Sequence, residues 1–188
     1  MKQSLGARTI LEPAPVLLIG TYDEQGRPNI MTCAWGGICC SDPPSVAVSL
    51  RESRHTYTSI VRSEAFTVGV PSISLVKEAD YAGIRSGRDA DKFNVLGLTP
   101  IRAEHVDAPY AEECPLVLEC ELTHTIPLGV HVQFIGEILD VKADEGILNA
   151  QGQVDVTALS PICFDPAAGG YYGLGEFLGR AFSIGKEV

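Results

Sequence analysis

Cationic and hydroxyl side chains are concentrated in one short stretch of the chain. Its members are Arg51, Ser53, Arg54, His55 and Thr56. We expect this stretch to join the end of a strand to the start of a helix, where backbone N–H groups are free to donate hydrogen bonds. A guanidinium group can bind two phosphate oxygens at once. The stretch therefore indicates a site for one phosphate group, with a solvated surface turn as the alternative.

Small side chains and the only tryptophan precede this cluster. Thr32, Cys33 and Ala34 are small enough for a ligand to reach the backbone, and Trp35 stands beside two glycines. A flat heterocycle needs backbone donors at its polar edge and an apolar wall at its other end. FMN combines such a ring with one phosphate. The alternative role for Trp35 is packing in the core.

Other reactive residues give weaker signals. The six cysteines contain no C-x-x-C pair and the four histidines are scattered, so we expect no metal site. A reactive thiol needs an electropositive setting, so we expect Cys33 to fill space. His131 alternates with apolar residues, which is typical of a core or interface position, with orientation of the electron acceptor as the alternative. We assign no catalytic residue, because hydrolase and Walker motifs are absent and the chemistry would come from a cofactor.

Composition predicts one soluble domain over residues 1–188. The chain is 45% hydrophobic and 20% charged, as in ordinary globular proteins. Its net charge of −10 argues against nucleic acid as a general partner. The N-terminal apolar run is short and interrupted by proline, so we expect no signal peptide, no membrane span and a cytoplasmic location.

The hydrophobic pattern predicts a mainly β fold with short helices inserted. Strands are expected at 16–22, 29–35, 45–50, 65–70, 116–126 and 130–141. Helices are expected from about Arg54 to Ser63, at 72–82 and near Phe93, with an acidic hairpin at 144–154 and Gly-rich coil in the last third of the chain. Since no βαβ rhythm is visible, these elements favour a β-barrel with helical insertions.

Six stretches, in order and covering most of the chain, resemble the flavin reductase-like family of FMN-binding split barrels, in its flavoredoxin branch. They are PVLLIGTYDEQGRPNIMTCAWGG, SDPPSVAVSLRESRHTY, YAGIRSGRDADKF, ECPLVLEC, FIGEI and YYGLGEFLG. The resemblance implies a six-stranded Greek-key split barrel that forms a homodimer and binds FMN at the subunit interface. It also implies that electrons pass through the flavin from a reduced donor to an acceptor.

The resemblance further implies which residues hold FMN. The residues expected beneath the isoalloxazine are Asn29, Met31, Thr32, Cys33, Ala34 and Trp35. Those expected to hold the ribityl chain and phosphate are Ser49, Leu50, Arg51, Arg54, His55 and Thr56, with Lys92 as a further cation. Family members that use NADH commonly carry Asp directly before the histidine that corresponds to His131. Val130 stands there in this chain, which argues against direct use of a nicotinamide. The expected electron donor is NAD(P)H or a redox partner protein.

We therefore expect an FMN-dependent oxidoreductase or electron carrier. The alternative is a non-catalytic split-barrel module for flavin storage or haem, and a deazaflavin or pyridoxal-phosphate enzyme is a third option. We also expect Arg54 and Lys92 to be dispensable for folding, because a side chain at a helix start or in a loop rarely anchors a core.

Overall fold

The structure, a computed structural model, describes residues 1–187 and confirms a mainly β fold with helical insertions. The strands are β1 (Ala14–Pro15), β2 (Leu17–Tyr22), β3 (Pro28–Cys33), β4 (Gly36–Ser41), β5 (Pro44–Leu50), β6 (Ala65–Val70), β7 (Pro100–Arg102), β8 (Pro109–Ala111), β9 (Leu116–Leu128), β10 (His131–Ala143), β11 (Cys163–Asp165) and β12 (Gly170–Tyr172). The helices are α1 (His55–Ser63), α2 (Val76–Ile84), α3 (Lys92–Leu96) and α4 (Val156–Leu159), with 3-10 turns at Ile73–Leu75, Glu145–Ile147 and Ile184–Glu187. Within the described residues, every helix is too short or too polar to cross a membrane.

Seven strands form one antiparallel sheet in the order β3-β2-β6-β9-β10-β5-β4. The sheet curls so that β3 and β5 approach each other at one end, where the Ser49 amide donates to the Trp35 carbonyl at 2.8 Å. The chain leaves β3 at Cys33 and begins β4 at Gly36, which pairs with the far side of β5. Residues 34 and 35 therefore cross the open seam of a split barrel.

The core has two layers, because apolar side chains occupy both faces of the sheet. Leu17 and Ile19 of β2 point into the barrel, while Leu18 packs against the outer layer. Phe66 and Phe134 fill the barrel interior with no exposed surface. The outer layer lies under α2 and α3, and its buried members include Ala79, Ala82, Phe93 and Leu98. This layer holds the helices against β3, which places their connecting loop beside the strand end.

Several boundaries differ from the sequence expectation, for local reasons. The strand predicted at 29–35 ends at Cys33, and β4 follows without having been predicted, because it begins with two glycines and lies exposed at a sheet edge. The helix predicted at 72–82 is a 3-10 turn followed by α2, and Ile73 is 51% exposed rather than on a buried face. The predicted acidic hairpin at 144–154 contains a 3-10 turn and one bridge, between Leu148 and Val154.

Candidate functional site

A cationic cavity of about 270 Å³ lies where two connections meet beside β3. The β5–α1 connection and the α2–α3 connection supply nearly all of its walls. Its lining residues are Met31, Arg51, Ser53, Arg54, His55, Thr56, Arg85, Ser86, Gly87, Arg88, Asp89 and Lys92. We call this cavity the cationic basin.

The charges of the cationic basin are unbalanced. Four arginines and one lysine line it, against the single carboxylate of Asp89. None of these cations forms an ion pair with another residue in the described part of the chain. Arg88 instead donates to the Ser53 carbonyl at 3.0 Å, which ties the two connections together. Such a cluster of like charges favours the binding of an anion, which would offset their mutual repulsion.

Lys92 forms the floor of the cationic basin. Its ammonium group donates to the carbonyls of Ile30 at 2.8 Å and Ala82 at 2.7 Å, and the residue is only 2% exposed. Burial, and then the nearby Arg54 guanidinium, lower the pKa of Lys92 to about 8. The expectation that Lys92 is dispensable for folding assumed that a side chain at a helix start or in a loop rarely anchors a core, but Lys92, the first residue of α3, is buried. Removing the side chain would leave two buried carbonyls without a donor.

The start of α1 contributes polar groups to the same place. Arg54 caps the helix without a side-chain hydrogen bond, so the amides of the first turn, whose residues His55 and Thr56 line the basin, have no capping side chain. Asn29 Nδ2 donates to Thr56 Oγ1 at 3.1 Å and thereby links β3 to α1. Asn29 Oδ1 and His55 Nε2 are buried and have no hydrogen-bond partner among the described residues. Burial and then the charge of Arg88 lower the pKa of His55, which favours its neutral form.

A second cavity, of about 310 Å³, continues from the cationic basin along the seam of the barrel. Its lining residues are Met31, Thr32, Cys33, Ala34, Trp35, Ser49, Leu50, Arg51, Arg54 and His131. We call it the trough. The trough shares Met31, Arg51 and Arg54 with the basin, so the two cavities form one groove. The Thr32 hydroxyl donates to the Ala79 carbonyl and so serves to hold α2 against β3.

Cys33 lies at the bottom of the trough as a neutral thiol. It is 5% exposed, and its Sγ lies 3.5 Å from the Trp35 carbonyl and 3.8 Å from the Ser49 carbonyl. Burial raises the pKa of this thiol to about 11. Since the thiolate is the nucleophilic form, the position suits packing across the seam better than thiol chemistry.

The structure brings the predicted site residues together. All of them line the basin or the trough except Asn29, which lies in the adjoining cavity beside Gly87 and Arg88. The sequence reasoning missed Arg85, Ser86 and Arg88, which stand in the loop that leads to α3. The signal was present, because the stretch RSGRDADK carries three cations and only its final lysine was assigned. In residues 1–187, no three potential metal ligands among His, Cys, Asp and Glu lie together.

Comparisons with known proteins agree with this architecture. The family model described as flavin reductase like domain matches residues 10–166. The structure of flavoredoxin from Desulfovibrio vulgaris (Miyazaki F) superposes with a TM-score of 0.94 at 55% sequence identity, covering 98% of this chain and 100% of that one. Flavoredoxin from Methanosarcina acetivorans gives a TM-score of 0.92 at 28% identity, covering 100% of this chain and 99% of that one.

A curated relative supports the same family. An uncharacterised protein of Archaeoglobus fulgidus is 36% identical over 129 residues, which cover 69% of this chain and 73% of the relative. The family match spans well over half of the chain, and the split-barrel architecture described above is the one these structures share. This chain therefore belongs to the flavin reductase-like family, in its flavoredoxin branch.

Proposed function

We propose that the groove binds FMN, with the phosphate in the cationic basin and the isoalloxazine in the trough. The observation that carries this proposal is the group of basin arginines that have no ion pair within the described residues. In a chain of net charge −10, such a group indicates an anionic ligand. Arg51 and Arg54 line both cavities, so they would contact the ligand where its phosphate joins the ribityl chain.

Unsatisfied polar atoms support the same placement. His55 Nε2 and Asn29 Oδ1 are buried without a partner, and buried polar atoms normally have one. His55 lines the basin and Asn29 lies in the adjoining cavity beside Gly87, so the hydroxyl and phosphate groups of a ligand in the basin would lie close to both atoms. The basin provides one phosphate site, because its four arginines and one lysine line a single cavity and the trough shares only Arg51 and Arg54 of these cations. The groove therefore fits FMN better than FAD.

We further propose that this chain is a flavoprotein that transfers electrons and works as a homodimer in the cytoplasm. FMN, when bound, accepts and releases electrons one or two at a time. The protein would hold the ring, exclude water from one face and limit access to the other. Support comes from the likeness to two flavoredoxins and from six cysteines that stand unpaired in the described chain, as in a reducing compartment. NAD(P)H or a redox protein would be the donor, and a small molecule or protein the acceptor.

Comparison of FMN with riboflavin tests the phosphate placement. Arg54→Ala should weaken FMN binding about ten- to a hundredfold, since a charge-assisted hydrogen bond contributes about 1.5–3 kcal/mol. Riboflavin lacks the phosphate, so its affinity should change little. Arg102→Ala, an exposed arginine outside the groove, is the matched control and should leave both affinities unchanged. Equal weakening of both ligands in Arg54→Ala would refute the placement.

The ligand carried by the purified protein tests the wider proposal. We expect a yellow protein that releases FMN rather than FAD on acid treatment. Colourless protein that does not take up added FMN would refute the proposal. A haem spectrum would instead support the alternative role as a non-catalytic binding module.

A further inference from the structure

A further cavity opens directly beside the trough. It has a volume of about 410 Å³, within the range of small-molecule sites. Its lining residues are Arg8, Thr9, Ile10, Leu11, Trp35, Ser49, Leu128 and His131. Trp35, Ser49 and His131 also line the trough, so a ligand in this cavity would lie next to whatever occupies the trough. We call it the vestibule.

The vestibule combines an apolar wall with positive charge. The wall is formed by Ile10, Leu11 and Leu128 together with the indole of Trp35. Each of these residues is at least 36% exposed. Soluble proteins usually expose such residues singly, whereas these four line one cavity. The polar side is formed by Arg8 and by His131, which is cationic when protonated. No aspartate or glutamate lines the cavity.

Arg8 is the permanent charge of the vestibule. Within residues 1–187 it forms neither an ion pair nor a side-chain hydrogen bond with the protein. In a chain with ten more acidic than basic groups, an arginine that meets no carboxylate is available to an anionic ligand. Two hydroxyls, of Thr9 and Ser49, supply further hydrogen-bonding groups nearby.

We propose that the vestibule is a binding site for a small aromatic anion, such as an aromatic carboxylate, whose ring stacks on Trp35 and whose charged group meets Arg8. Its role as the site of an electron acceptor rests on the proposed function of the groove, but the binding itself does not. A purely apolar ligand would leave the arginine without a partner. A larger polyanion would not fit the apolar wall, and the cationic basin already provides a separate phosphate site.

Fluorescence of Trp35 tests the proposal, because it is the only tryptophan of the chain and lies in the vestibule wall. Benzoate is titrated into the purified protein, and benzamide, of the same shape without charge, is titrated in parallel. We expect a saturable change in emission with benzoate and at least about fivefold weaker binding of benzamide, as a charge-assisted hydrogen bond implies.

Two variants locate the charge. Arg8→Gln should reduce benzoate affinity to that of benzamide and leave benzamide binding unchanged. Arg180→Gln, an exposed arginine of the C-terminal segment, is the matched control and should bind benzoate as the wild type does. The absence of a saturable response in the wild type would overturn the proposal. So would equal loss of both ligands in Arg8→Gln, because the arginine would then act on the fold of the N-terminal segment.

The readout separates this proposal from that of FMN binding. Emission from Trp35 does not require a bound flavin. Benzoate binding to a protein that takes up no FMN would uphold the vestibule and refute the proposed function. FMN binding without any benzoate response would uphold the proposed function and refute the vestibule proposal.

Discussion

Lys92 and Cys33 both line the groove, and burial shifts the pKa of each toward its neutral form. The ammonium of Lys92 donates two hydrogen bonds to backbone carbonyls, which leaves one N–H donor for a ligand in the basin. The thiol of Cys33 stays protonated because its pKa is raised to about 11. The lysine thus provides a positive charge that a bound anion would stabilise. The cysteine acts only as a small buried side chain that fills space.

We expect FMN affinity to depend on pH through Lys92. A phosphate in the basin would favour the charged ammonium and raise the pKa of Lys92 above the value of about 8 in the free protein. A group whose pKa rises on binding contributes affinity below its free pKa, and this contribution is lost as pH rises from the free pKa through the higher pKa of the complex. FMN affinity should therefore fall about tenfold between about pH 7 and about pH 9.5, equivalent to a pKa change of about one unit.

Riboflavin is the control for the pH experiment, because it shares the ring but has no phosphate. Its affinity, measured by the same fluorescence titration, should stay nearly constant over the range. Parallel loss of both ligands would show that the pH effect acts on the ring or the fold rather than through Lys92.

Replacement of the thiol in the trough should have little effect on function. Cys33→Ser keeps a small side chain that can donate to the Trp35 and Ser49 carbonyls, so we expect most FMN binding and flavin reduction to remain. Cys114→Ser, an equally buried cysteine outside the groove, is the matched control for the cost of burying a hydroxyl. Anaerobic reductive titration measures the effect. A variant that binds FMN but cannot be reduced would require a thiol-based mechanism.

At the scale of elements, the α2–α3 connection, residues 85–91, completes the basin. Gly87 allows this loop to lie directly on β3 and α1. A Cβ added there would stand 2.8 Å from Asn29 Cγ and 2.8 Å from His55 Cδ2, closer than real contacts allow. The glycine is needed for this close approach rather than for an unusual backbone angle. The position of Arg85 and Arg88 therefore depends on a residue without a side chain.

Gly87→Ala should move the loop and weaken FMN binding about tenfold, with a stability cost of about 1–3 kcal/mol as for other overpacked sites. Gly146→Ala is the matched control, since its added Cβ would meet no atom within 4 Å. FMN titration and thermal unfolding of both variants measure the two effects. Unchanged FMN affinity in Gly87→Ala would show that the loop does not contribute to the site.

Elements with strong periodicity could be predicted from the sequence, and those held by tertiary contacts could not. Strand β6 lies at Ala65–Val70 as predicted, because a buried apolar run ends at Pro71. Strand β4 was missed because it pairs at only one edge and has no buried face. Likewise β1, β11 and β12 are two or three residues long and form a sheet only because distant parts of the chain meet.

The candidate site shows the same division. The β5–α1 cluster could be found from the sequence because its residues are adjacent in the chain. Arg85 and Arg88 belong to the site only because α2 packs against β3 and returns the loop to α1. No local sequence pattern predicts the contact between residues 53 and 88, which lie 35 positions apart. The burial of Lys92 had the same origin, since its two acceptors lie 62 and 10 positions away along the chain.

At the scale of the whole molecule, the helices cover only one part of the barrel. They pack beside β3 and β2, whereas β4 forms the opposite edge of the sheet, pairs on one side only and carries Ile38 with 67% exposure. Exposed Leu139 and Val141 lie on β10, two strands away. An open strand edge flanked by apolar side chains is a surface that a second copy of the chain could cover.

We predict a homodimer that uses this edge, and light scattering of the flavin-loaded protein should give twice the mass of one chain. Ile38→Glu places a charge at the proposed interface and should shift the protein toward monomer, with weaker FMN binding if the second copy covers one face of the ring. Ile73→Glu, at a residue 51% exposed on the helical side, should remain dimeric. A wild-type monomer that retains FMN would contradict the prediction, because a complete flavin site would then be formed by one chain alone.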